Sequence, residues 1–182
     1  LNRMDRRFTS AFTDPADTFL LGRFVSPFCL RHRVMLEAAE SPLIRSGAGI
    51  RPLDLLFAVK ICSGERIDKL TWKDSWYLGK MTANGDYFAE QIEFFSKYVL
   101  VEAWPKFWEK KAKHSETSGT PWVLTVVASL ISNGIPEERA WTMPECQAIW
   151  LNSTFAISKG AELKVLTSED EELIEELEKT QA

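Results

Sequence analysis

Apolar and polar positions along most of the chain follow a helical rather than an alternating rhythm. Between Phe28 and Ala39 the residues Leu30, Val34 and Ala38 fall on one face, after Ser26-Pro27 opens the turn and before Glu40-Ser-Pro42 closes it. Leu53 to Cys62, led by Pro52 and stopped by Ser63-Gly64, is apolar nearly all round, with Leu55, Leu56, Phe57, Val59 and Ile61. Such a helix is predicted to lie at the centre of a bundle. A shorter helical piece is predicted over Asp68 to Lys80, carrying Leu70, Trp72 and Trp76. After the turn Asn84-Gly85-Asp86 comes the longest periodic segment, Tyr87 to Lys111, in which Phe88, Ile92, Phe95 and Val99 step by four, three and four. Pro105 is predicted to kink or break it. Lys106, Lys110, Lys111 and Lys113 suit the negative pole of a helix C-terminus.

His114 to Thr120 is polar and reads as a loop, and Pro121 opens a second all-apolar helix, Trp122 to Ile131, which Asn133-Gly134 ends. Two helix starts follow within a short span. Pro136 opens one, and Thr142 reads as the N-cap of the next, with Pro144 and Glu145 in its first turn. Trp141 and Trp150 are predicted to staple this corner. Met143 to Lys159 then places Cys146, Ile149, Trp150, Ser153 and Ile157 at helical spacing, ending at Gly160. Ser168-Glu-Asp-Glu171 matches a capping box and leads an acidic helix with the stripe Leu173, Ile174, Leu177. Thr18 to Val25 and Leu163 to Leu166 could pair briefly as strands, but no alternating run is long enough to build a sheet on. The predicted fold is therefore all-α, a single-domain bundle of about six or seven helices with the 53–62 and 122–131 helices central. Its parts are a partly extended N-terminal segment (1–25), the bundle (26–165) and a peripheral acidic helix (166–182).

Composition narrows the function. The 182 residues, 45% apolar and 26% charged, are those of an ordinary globular protein, and seven Trp with eleven Phe are many for that length. They imply a well-filled core, an adhesive surface, or both. From Leu166 onward seven acidic residues face one lysine, so the tail carries −6 of a net −4 and the remainder is +2. A nearly neutral body offers no case for nucleic-acid binding. The run Trp122 to Ile131 is about half of what a bilayer requires, so no membrane role is expected. Arg3, Arg6 and Arg7 stand where a signal peptide would carry its apolar core. Three scattered cysteines fit a reducing compartment, and the expectation is a cytoplasmic protein.

Candidate chemistry is sparse. Cys29 and His32 share a helix face, but zinc wants a second pair and His114 lies alone, so a buried cysteine beside a surface histidine is expected. Two histidines without a nucleophile motif supply no triad. Gly47-Ala-Gly49 lacks the strand and lysine of a phosphate loop. Glu90 and Glu93 lack the Glu-x-x-His partner of a bundle metal site and read as a solvated face. Asn152-Ser-Thr matches a glycosylation acceptor inside a predicted helix. No catalytic residue, metal or cofactor is expected. The acidic tail is either a solvating cap docked on the body or a detachable amphipathic arm for a partner groove.

Two stretches carry a family likeness. One is Phe24-Val-Ser-Pro-Phe-Cys-Leu-Arg-His-Arg-Val-Met-Leu-Glu-Ala-Ala-Glu-Ser-Pro-Leu43 with Asp54-Leu-Leu-Phe-Ala-Val-Lys-Ile-Cys-Ser63; the other is Gly134, the Ala140-Trp-Thr-Met-Pro144 run and Gly160. Together they resemble small helical proteins of bacteriophage and prophage tail-gene regions, similar to tail assembly chaperones. The resemblance spans roughly residues 20 to 165 and brings no catalytic residues. It implies a non-enzymatic, protein-binding role, holding a tail component soluble in the bacterial host. Trp141, Trp150, Leu173, Ile174 and Leu177 are the candidate partner-binding residues, with self-association as the other use of that surface. The alternative is a helical small-molecule-binding or regulatory protein with an aromatic-lined pocket.

Overall fold

A computed structural model describes residues 6–13, 18–45, 49–99, 104–108 and 120–181. Among them are nine helices and four short strands: α1 (Arg6–Thr13), β1 (Thr18–Leu20), β2 (Arg23–Val25), α2 (Leu30–Ala38), α3 (Pro52–Ser63), α4 (Trp72–Ala83), α5 (Gly85–Val99), β3 (Lys106–Phe107), α6 (Trp122–Ser132), α7 (Glu137–Thr142), α8 (Glu145–Ser158), β4 (Val165–Leu166) and α9 (Ser168–Gln181). The protein is mostly helical, with two small antiparallel sheets, β1–β2 and β3–β4. The chain divides into two compact units, one of Leu1–Asp14, Glu102–Ala140 and Cys146–Ala182, the other of Pro15–Val101 and Trp141–Glu145. The two helices expected to share one centre, 53–62 and 122–131, thus fall in different units.

In the unit of Pro15–Val101, α3 is the hub. Leu55, Leu56, Ala58, Val59, Ile61 and Cys62 are buried on it, packed with Leu36 of α2, Met81 of α4, and Phe95, Tyr98 and Val99 of α5. Pro52 begins α3, and Gly64 ends it in the left-handed conformation at φ 70°. The β1–β2 hairpin lies over this core with Thr18 opposite Val25, Phe19 opposite Phe24 and Leu20 opposite Arg23. Alternation turns Leu20, Arg23 and Val25 inward and leaves Phe19 and Phe24 exposed, their rings edge to face at 5.1 Å. The two-residue turn between the strands places both Leu21 and Gly22 at positive φ, 44° and 70°, which matches the twist of a tight hairpin. A leucine is retained there because its side chain is buried in the core. The segment 141–145 completes the unit. The Glu145 amide donates to the Phe28 carbonyl at 2.8 Å, Pro144 bridges to Cys29, and the Arg33 guanidinium grips the buried Glu145 carboxylate through Nε and, at 2.9 Å, Nη2.

In the other unit, α1 packs on α8. Phe8 meets Trp150 edge to face at 5.5 Å, and the Gln147 side-chain amide donates to the Ala11 carbonyl at 2.9 Å. The β3–β4 ladder pairs Lys106 with Leu166 and Phe107 with Val165. It leads into α9, whose true cap is one residue earlier than the sequence suggested: Thr167 and Asp170 exchange hydrogen bonds at 3.0 and 3.2 Å. Helix α6 buries Val123, Val126, Val127 and Leu130 but exposes Trp122, Leu124 and Ile131, so it is a one-sided helix and not a central one.

Two further expectations change, and others fall outside the described residues. The long helix, expected to reach Lys111, is described only to Val99; Pro105 is not helical, as expected of a helix-breaking proline, and Lys106 lies in β3 instead of near a helix end. Lys110, Lys111, Lys113, His114 and Gly47 lie outside the described residues. Thr142 ends α7 instead of capping the next helix, and Pro144 joins the bridge to Cys29.

The hairpin turn yields a direct expectation. A Cβ on Gly22 would stand 2.2 Å from the Tyr77 hydroxyl, and φ there disfavours any side chain. Gly22→Ala is expected to lower stability by about 1–3 kcal/mol through this overpacking, read as a shifted urea midpoint; an unshifted midpoint contradicts the turn described.

Candidate interaction surface

Helix α4 is built the wrong way round at its first turn. Viewed along its axis, Asp74, Tyr77, Leu78 and Met81 form the inward face at three- and four-residue spacing. Trp72, Trp76, Gly79 and Ala83 form the opposite, outward one. Asp74 is fully buried, whereas Trp72 and Trp76 are 77% and 55% exposed. Hydropathy alone does not choose between the faces, because Trp72 and Trp76 stand opposite a second apolar set, Tyr77, Leu78 and Met81.

The reason lies in the charges beneath. Lys60, buried on α3, donates to the Asp74 carboxylate at 3.0 Å and to the Lys69 carbonyl. Arg23, reaching in from β2, donates to the other Asp74 oxygen, to the Leu21 carbonyl at 3.1 Å and to Glu65 at 3.0 Å. The Thr71 amide donates to Asp74 at 2.7 Å while the Asp74 amide donates to the Thr71 hydroxyl at 3.3 Å, a capping box that starts the helix here. Burial pushes the Asp74 carboxyl up, but the Thr71 amide, the Lys60 ammonium and Arg23 outweigh it and hold the group at about 2. Three elements of this unit therefore converge on one carboxylate.

What this leaves outside is an aromatic and cationic face. The Lys73 ammonium lies 5.9 Å from the Trp72 ring, and that of Lys80 lies 5.4 Å from Trp76 and 3.7 Å from Tyr87. Ile67 and Leu70, in the segment before α4, are also exposed. Gly79 has open space around its Cβ position, so the outer face flattens toward its C-terminal end. Lys69, Lys73 and Lys80 are in no ion pair among the described residues. Large exposed apolar side chains rimmed by charged ones make this face the candidate interaction surface.

The residues expected from sequence fall elsewhere. Trp150 is buried against Phe8, a core side chain of its unit, and Trp141 is half-buried in the other unit, so the two do not form one staple within a unit. Leu173 and Leu177 are 60% and 53% exposed, and Ile174 is intermediate. Helix α9 is tied down at its first turns, where Glu171 meets Arg7 at 3.3 Å and Lys106 at 2.6 Å, while its leucines stay open. In the sequence Trp72 and Trp76 mark only a predicted helix, because apolar residues at helical spacing do not say which face meets solvent. The signal that could have found them is the second apolar set, Tyr77, Leu78 and Met81, on the opposite side of the same helix.

Other chemistry is confined. His32, expected at the surface, is buried beside Phe28, with rings 6.0 Å apart. Burial and the nearby Arg31 charge lower it to about 4. Burial pushes the Cys62 thiol up to about 12 and raises that of Cys29, which leaves neither as a nucleophile at neutral pH. Among the described residues no three His, Cys, Asp or Glu side chains gather as a metal would need. Glu93 pairs with Lys97 at 2.7 Å on an exposed face. A cleft of about 390 Å³ lies between α2 and α3, lined by Leu36, Ala39, Ser41, Arg51, Asp54 and Phe57 among others. No described helix is long and apolar enough to cross a membrane. Comparison with protein-family models, characterised proteins and solved structures finds no match.

Two outcomes are expected. Asp74→Asn leaves Lys60 buried without its counter-charge and should cost about 3–5 kcal/mol, part of which Lys60→Met in the same chain restores. Because the folded value of Asp74, about 2, lies below its ordinary 3.8, its stabilisation is present above the ordinary value and fades as pH falls toward 2. Urea unfolding of the single and double variants measures this; additive losses contradict the pairing. His32 acts in another window. Between 6.5 and about 4 the unfolded chain takes a proton that folded His32 refuses, so stability falls as pH drops through that range. The loss is roughly 3 kcal/mol at ~1.4 kcal/mol per unit. His32→Gln should flatten that slope, and an unchanged slope contradicts a buried neutral imidazole.

Proposed function

We propose that this chain is a non-enzymatic protein-binding module that holds a phage or prophage tail component soluble during assembly, in the cytoplasm of the bacterial host. The observation that supports it best is the outward face of α4. Trp72 and Trp76 are among the residue types that dominate binding energy at interfaces, and buried charges hold them in water. An aromatic face ringed by lysine ammoniums suits an exposed apolar segment of a folding protein that carries acidic residues. The resemblance carried by Phe24–Leu43, Asp54–Ser63 and the Ala140–Pro144 run points to the same class of partner. Leu173 and Leu177 on α9 add a second open apolar stripe.

The alternative, a small-molecule-binding or regulatory protein with an aromatic-lined pocket, finds less support in the cleft beside α3, where Phe57 is the one aromatic lining residue.

Light scattering tests the proposal. A phage tail subunit diluted from denaturant is expected to stay clear when the chain is present. Trp72→Ser with Trp76→Ser is expected to abolish that protection while leaving the helical circular dichroism intact. Equal protection by both proteins, or none by either, contradicts the proposal.

A further inference from the structure

We propose that the outward face of α4 is covered, in the absence of a client, by the acidic helix α9 of a second copy of this chain. This rests on the reading of that face as the client-binding surface and adds its regulation.

The two surfaces match in the spacing of their exposed apolar residues and in the opposite sign of their charge. The α4 face offers two exposed tryptophans four residues apart, with Ile67 and Leu70 before them and the ammoniums of Lys69, Lys73 and Lys80 in no ion pair among the described residues. Helix α9 offers Leu173 and Leu177, also four residues apart, on a segment whose sequence holds seven acids against Lys179. The spacing of four residues is about one helical turn on each side, so the two leucines can seat against the two indoles along one line. The exposed Glu172 and the acidic sequence around the leucines then face the lysines flanking the tryptophans. Both surfaces are open in the single chain, with Trp72 77% and Leu173 60% exposed. The first turns of α9 are anchored by Glu171 to Arg7 and Lys106, which presents the leucine-bearing turns as a formed helix rather than a segment that must order on binding. A client that binds the α4 face would displace α9, so chains without a client are capped against adhesion by one another.

Sedimentation velocity of the full-length chain tests this. The wild type is expected to self-associate as concentration rises, and the association should weaken by about tenfold or more when salt is raised enough to shorten the screening length severalfold. Trp72→Ala/Trp76→Ala removes the face and Leu173→Ser/Leu177→Ser removes the arm, so each variant alone is expected to be monomeric. Mixed together, the intact arm of the first meets the intact face of the second, and a heterodimer should return. Lys73→Glu/Lys80→Glu replaces the first variant if circular dichroism shows that alanine disturbs the fold. A wild type that stays monomeric, a dimer that survives in both variants, or a mixture that does not reassociate each overturns the proposal. Failure here would leave Trp72-dependent protection of a tail subunit untouched, so the two readings are separable.

Discussion

The carboxylate of Asp74 decides which way helix α4 faces. It is fully buried, and it accepts from Lys60 on α3, Arg23 on β2 and the Thr71 amide at its own helix start. Taking ions out of water costs several kcal/mol each, so such a cluster is weak evidence of net stability. Its effect is on orientation. Turning α4 by half a revolution would bury Trp72 and Trp76 but would bring Tyr77, Leu78 and Met81 out into water. It would also strand the ammonium of Lys60, a residue 1% exposed, and leave Arg23 with Glu65 as its one counter-charge. A lone buried cation is worse than two solvated indoles, and the helix settles with its tryptophans outside.

The same cluster ties the hairpin to the core. Arg23 stands opposite Leu20 on the inner side of the hairpin and reaches both Asp74 and the Leu21 carbonyl. Tyr77, one turn along α4, closes over Gly22 at the tight turn. Hairpin, α3 and α4 therefore share a single arrangement, and the aromatic face is presented by a rigid support instead of a loose helix. Preorganisation of this kind lowers the ordering cost of binding.

Much of the helical pattern was legible because punctuation and periodicity agreed. Pro52 and Gly64 bracket α3, and Gly134 and Gly160 end α6 and α8 near where their sequence placed them, both at positive φ. The strands were harder. Two runs of three residues joined by Leu21-Gly22 carry too little alternation to outweigh a helical background, and a leucine hides a turn that asparagine would announce. α6 read as central because Trp122, Leu124 and Ile131 count as apolar, yet the sequence does not say which apolar face meets a partner. Trp150 illustrates the converse: it was a candidate contact and fills a core with Phe8. The α4 face is hidden by the same ambiguity, since only the buried positions of Lys60, Arg23 and Asp74 show which side of that predicted helix meets solvent.

The account turns on the state of one carboxyl group, and carbon-13 detection of the Asp74 side-chain carboxyl during an acid titration observes it directly. Held by Lys60, Arg23 and the Thr71 amide, the group is expected to remain ionised well below its ordinary value of 3.8 and to protonate only near 2. A midpoint at or above 3.8 in the folded chain would mean that the carboxylate is not engaged by those cations, and the explanation for the outward tryptophans would fail with it.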